Sequence, residues 1–155
     1  MRSWTLHPEL LHTDTDCKTY VANWGETLQG LGAIQGKHKM HINHPQLNRF
    51  KQQGVNCESA MYTFLFYLFL DSRERLTPTG KRFKFDISKI DMKKVNLDLN
   101  LPVSLKQLKF ELNHLNSKRL EKNLPVVNEI SLHPMFYLDD NYIDVIEKGD
   151  RLLTI

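Results

Sequence analysis

Met61-Tyr62-Thr63-Phe64-Leu65-Phe66-Tyr67-Leu68-Phe69-Leu70 is the strongest apolar run in the chain. A bilayer-spanning helix needs about twenty such residues, so this run is too short to cross a membrane. It is apolar nearly all round, which predicts the middle of a buried helix reaching from about Asn56 to Arg75. The segments on either side have to cover it. Upstream, Cys17, Tyr20, Val21, Trp24, Leu28 and Leu31 fall at helical spacing, with Thr13 or Asp14 as the cap and Gly30 and Gly32 as the end. Between these two helices Pro45 suits a first helical position, and Leu47 and Phe50 share a face before Gly54.

Downstream, Thr77-Pro78-Thr79-Gly80 breaks the chain, and Phe83-Lys84-Phe85-Asp86-Ile87 alternates as either a short strand or an extended loop. We read it as irregular. Ser104 then caps a last long helix carrying Leu105, Leu108, Leu112, Leu115 and Leu120, which ends near Asn123-Leu124-Pro125. Four helical segments and almost no strand predict an all-α fold: one compact domain over residues 1–155, with long irregular loops.

The size and composition agree with one ordinary domain. The chain has 155 residues, 41% hydrophobic and 25% charged. These proportions exclude wholesale disorder, collagen-like repeats and a coiled-coil rod. No repeat recurs and no linker divides it. The start, Met1-Arg2-Ser3-Trp4-Thr5-Leu6-His7-Pro8, lacks a signal-peptide core. Cys17 and Cys57 stand alone, which points to free thiols in a reducing, cytoplasmic setting.

Net charge is only +3, but it is unevenly spread. Residues 81–94 hold six bases (Lys81, Arg82, Lys84, Lys89, Lys93, Lys94) against two acids, and residues 106–122 hold five against two. Residues 139–151 reverse this, with five acids against two bases. The pattern suits either a mixed solvated surface or a nucleic-acid footprint.

Few residues form a recognisable chemical constellation. His38, His41 and His44 lie three apart in the chain. On a helix two such steps swing the third side chain about 60° beyond the face opposite the first, so no shared coordination face is expected. These read as loop histidines that cap or touch phosphate, and no metal is expected. Asp139, Asp140 and Asp144 lack the spacing and the glycine of a calcium loop. Phosphate loops, nucleophile elbows and zinc-protease helices are absent from the sequence. Glu26, after Trp24 and Gly25, lies beside the apolar stripe of its helix. It is either a rim residue in a surface ion pair or a functional acid.

Several segments taken together carry a resemblance. They are Met1 to Pro8, Trp24-Gly25-Glu26, Asn43-His44-Pro45-Gln46-Leu47-Asn48-Arg49-Phe50, Phe85-Asp86-Ile87-Ser88-Lys89-Ile90, Leu101-Pro102-Val103-Ser104 and His133-Pro134-Met135-Phe136. In this order and spacing they resemble the pyrimidine-dimer DNA glycosylases of the endonuclease V type, the cellular branch more closely than the phage enzyme. The resemblance spans nearly the whole chain, and residues 44–50 are its most specific part.

What the resemblance implies is a compact all-α domain that binds duplex DNA, flips a nucleotide out and cleaves the glycosidic bond with an amine nucleophile, with no cofactor and no metal. An α-amine titrates near 7.7–8.0, so about a tenth is neutral at pH 7 and able to attack C1′ of the sugar. The imine formed there permits proton abstraction and strand cleavage at the 3′ phosphate. By resemblance Met1 supplies the amine, Glu26 is the catalytic glutamate and Arg2 holds a phosphate beside them.

The departures from the phage pattern lie at Gly25, Gln29 and Gln107, each where that enzyme carries an arginine. Gln107 is retained as the DNA-facing candidate of the last helix. Lys37, Lys39, His44, Arg49, Lys81, Arg82 and Lys84 are the remaining DNA-binding candidates. Tyr137 is the aromatic candidate, with Tyr142 behind it, for filling the gap left by a flipped base, whereas Trp4 and Trp24 read as core. The expected partner is duplex DNA, met by a monomer without a membrane. The alternative is a non-catalytic DNA-binding module that keeps the same fold.

Overall fold

The computed structural model describes residues 2–143. In order it has α1 (Lys18–Ile34), α2 (Asn48–Lys51), α3 (Cys57–Ser72), β1 (Leu101–Val103), α4 (Leu105–Glu121) and β2 (Phe136–Leu138), joined by short 3-10 turns. The described residues are thus helix-rich, and none of their helices is long and apolar enough to cross a membrane.

Helix α3 is the central element, as its sequence predicts. Ala60, Met61, Phe64 and Leu65 have no exposure, and α1 and α2 both pack on it. It is less evenly buried than its composition suggests: Phe66, Tyr67 and Phe69 are half-buried and Leu70 faces solvent. The Phe64 ring stacks on His133 at 4.3 Å and meets Phe50 edge-on at 5.8 Å. The buried apolar residues of every long helix join one cluster around these rings.

The ends of α1 differ from the sequence expectation. Thr13 and Asp16 first close a turn, with the Thr13 N–H on the Asp16 carbonyl (3.0 Å) and the Asp16 N–H on Thr13 Oγ1 (2.8 Å). Asp16 Oδ1 then takes the Lys18 N–H (2.8 Å), so the helix starts at Lys18 rather than at Asp14. At the other end Gly30 and Gly32 stay inside the helix, both buried. A Cβ on Gly32 would lie 2.7 Å from His38 Nε2. The stop is Gly36, in the left-handed region at φ 76°, with Gly36 N–H on Ala33 O and Lys37 N–H on Gly32 O. Asn123 (φ 57°) ends α4 the same way, Leu124 N–H closing on Arg119 O at 2.8 Å.

The all-α expectation needs correction on one point. β1 and β2 pair in parallel, Leu101 opposite Phe136 and Val103 opposite Leu138, with α4 as the crossover. Strands of three residues are too short to display a two-residue period, and one contains Pro102. The 83–87 segment is irregular, held by Phe85 stacking on Trp24 (4.8 Å, 7° between planes) and Phe83 against Tyr20.

His133 is completely buried, and burial pushes its pKa down to about 3. Its Nδ1 accepts the Met135 N–H at 3.1 Å, so the neutral ring is the packed form. The unfolded chain therefore takes up a proton near pH 6.5 that the fold refuses, and stability falls as pH drops from there towards 3. Between pH 6.5 and 5, urea unfolding should lose at most about 1.4 kcal/mol per pH unit from this group. His133→Gln should flatten that limb, and an unchanged pH slope in the variant would refute the assignment.

Candidate functional site

Residues 3–6 pass through the interior, bending at Thr5 and bridging from Leu6 to Leu132. Ser3, Trp4, Thr5 and Leu6 are all buried. A segment buried on both sides must bond its backbone groups internally, and each of its partners is distant in sequence. On the α1 side, Arg2 N–H donates to Glu26 Oε2 (2.9 Å), Trp4 N–H to Asn23 Oδ1 (3.4 Å), and Ser3 Oγ meets Thr27 Oγ1 at 3.2 Å. Residues 23, 26 and 27 share one side of the helix by their three- and four-residue spacing.

On the α4 side, Glu111 accepts the Thr5 N–H (2.7 Å), the Thr5 hydroxyl (2.6 Å) and Gln107 Nε2 (3.0 Å). The Ser3 carbonyl accepts Arg49 Nη1 at 2.8 Å. Thr5 O receives the His133 N–H, and His7 N–H reaches Ser131 O, both at 2.7 Å.

Glu26 is therefore neither a surface ion pair among the described residues nor a core group. It is half-buried, with one oxygen fixed on the Arg2 nitrogen. The Arg2 guanidinium lies over two rings, Trp4 at 5.5 Å and Phe110 at 5.4 Å. Their faces keep a cation on the same residue whose nitrogen Glu26 holds. His114 stacks on Trp4 in turn, at 5.7 Å. Beside Glu26, a Cβ on Gly25 would meet nothing within 4 Å, so α1 presents bare backbone next to the carboxylate. This face of α1 thus offers an acid, a held cation beside it and open space at Gly25.

The other predicted residues are dispersed over the fold. Met1, like Asp144, lies outside the described residues. Arg49 and Gln107, expected to face DNA, are interior: Arg49 is 4% exposed and Gln107 0%. Arg49 binds the Ser3 carbonyl, lies 3.8 Å from Glu111 and sits under Phe136, while Gln107 supports Glu111. That burial corrects both readings, because a group enclosed by protein cannot reach a phosphate. His44 caps the Pro45–Leu47 turn through Nδ1, which accepts the Gln46 N–H at 3.1 Å.

Lys37, Lys39, Lys81, Arg82 and Lys84 are exposed. The 81–85 segment is fixed on Trp24 and Tyr20, and Arg82 donates to Arg73 O at 2.7 Å. Trp24 and Glu26 leave α1 about 160° apart, so this basic cluster occupies the opposite flank of the helix. Tyr137 is 42% exposed on β2, and Tyr142 donates to Gln52 Oε1 at 2.7 Å. Among the described residues no three His, Cys, Asp or Glu side chains come together to hold a metal ion.

Glu111 was missed in the sequence, although it lies between Leu108 and Leu115 at helical spacing. No family model, no curated protein and no solved structure matches the chain.

Proposed function

We propose that this chain is a DNA glycosylase with abasic-site lyase activity, acting on a damaged or modified base in duplex DNA through an N-terminal amine. One observation carries the reading: the Glu26 carboxylate bonds the Arg2 nitrogen at 2.9 Å. In a chain that begins at Met1, the α-amine is three covalent bonds from that nitrogen. A carboxylate that holds this nitrogen would be the group to accept a proton from the attacking amine and to balance the cation that replaces the glycosidic bond. The amine forms a bond to C1′ as the base departs with the bonding pair. The amine then gives up a proton, the C1′–O4′ bond opens with a proton delivered to O4′, and loss of a C2′ proton from the imine so formed expels the 3′ phosphate. The Arg2 guanidinium, steadied by Trp4 and Phe110, would hold a phosphate of the same strand.

The pyrimidine-dimer part of the proposal rests on the sequence resemblance rather than on the site. Gly25 and Gln29 bring no positive charge to the face beside Glu26, so binding there should be weaker and less salt-dependent than an arginine-lined face would give. Lys37 and Lys39, exposed beyond the end of α1, are the remaining sequence-derived cations nearest that end.

The test is borohydride trapping on duplexes containing a cyclobutane dimer or an abasic site, with the N-terminus verified by mass spectrometry. A covalent adduct that disappears on N-terminal acetylation, and does not form on undamaged duplex, is the expected result. An adduct on the abasic site alone would retain the lyase and assign a different base to the glycosylase. Duplex binding without any adduct would favour a non-catalytic module.

A further inference from the structure

We propose that Arg49 and Glu111 are positioning residues for this amine chemistry, holding the N-terminal segment in the one register that brings the Arg2 nitrogen to Glu26. The inference rests on the glycosylase reading above. Glu111 spends both oxygens on Thr5, at 2.7 and 2.6 Å, and Arg49 grips the Ser3 carbonyl at 2.8 Å. Residues 3 and 5 are thereby fixed from the same buried pair, whose members lie 3.8 Å apart. Gln107 braces Glu111 and the Phe136 ring lies 5.6 Å from Arg49, so neither side chain can swing.

Consecutive Cα atoms are about 3.8 Å apart, so a slip of one residue would carry the Arg2 nitrogen out of hydrogen-bonding reach of Glu26. Catalytic geometry is far less tolerant than that: a displacement of about 1 Å can cost about a hundredfold. The pair does more than stabilise. Apolar residues often replace a buried ion pair without loss, but here they would abandon the Ser3 carbonyl and both polar groups of Thr5. Lysine at position 49 keeps the charge but not the planar fork that reaches two acceptors at once.

The experiment compares wild type, Arg49→Lys and Leu68→Ala in single-turnover borohydride trapping on an abasic-site duplex, with duplex Kd and thermal midpoint measured for each. Leu68 is a buried α3 residue with no bond to the segment, so it reports on lost stability alone. We expect Arg49→Lys to trap at least about tenfold more slowly at saturating DNA with Kd within about twofold, while Leu68→Ala traps at the wild-type rate at a temperature where it is folded. If Arg49→Lys does not fold, Thr5→Val removes one of the two Glu111 bonds and should slow trapping several-fold. Wild-type trapping by the variant that folds, or an equal loss in Leu68→Ala, would overturn the positioning role and leave the glycosylase reading standing. No adduct with the wild type would overturn both.

Discussion

Glu26→Gln is expected to lower adduct formation on an abasic-site duplex by about two orders of magnitude or more, with the fold and the duplex Kd nearly unchanged. The glutamine carbonyl can still accept the Arg2 N–H that the carboxylate accepts at 2.9 Å, so the segment keeps its anchor. What is lost is the charge. A neutral amide cannot take the proton of an attacking amine, nor balance the positive imine that follows. Glu26→Ala, by contrast, removes the anchor as well, and should add a loss of stability to the loss of rate. A Glu26→Gln variant that traps at the wild-type rate would reduce Glu26 to a cap for the N-terminal segment and turn the reading towards a binding module.

Much of the scaffold around this acid is written locally. The run Met61 to Leu70 shows its burial in its own composition, and Ser104 with its leucines shows the last helix together with its cap, which takes the Gln107 N–H at 3.0 Å. Gly30 and Gly32 misled because glycine serves both termination and close packing; only the left-handed Gly36 distinguishes the two. β1 and β2 are invisible because their pairing joins segments far apart in the chain through three-residue strands. The site is only half legible. Glu26 stands out as an acid at the edge of an apolar stripe, but the burial of Ser3 to Leu6 depends on partners at 23, 27, 49, 111 and 133, and no local pattern announces them. A charged residue within an apolar stripe was the available signal. Glu111 between Leu108 and Leu115, and Arg49 between Leu47 and Phe50, both show it.

Burial gives Glu111 an energetic weight that the exposed acids among the described residues lack. Glu111→Ala should destabilise the fold by about 3–5 kcal/mol, because it leaves the Arg49 charge buried without its carboxylate and strips the Thr5 N–H and hydroxyl of their acceptor. At this chain length each kcal/mol moves Tm by about 2–4 °C, so a fall of roughly 10 °C is expected in a thermal melt. Glu58→Ala provides the contrast. Glu58 also bonds a cation, Lys94 Nζ at 2.8 Å, but both side chains are well exposed, at 34% and 48%, and water replaces the contact. Exposed pairs contribute about 0–1 kcal/mol, so that melt should shift by no more than a few degrees. Equal shifts in the two variants would mean that the Glu111 cluster relaxes or hydrates when opened, and that the segment from Ser3 to Thr5 is held by Trp4 and Leu6 packing rather than by its buried acid. A large shift for Glu111 alone makes the polar cluster the anchor of the segment. Gln at the same position should then fall between the two, since it keeps one acceptor for Thr5 but gives up the charge that faces Arg49.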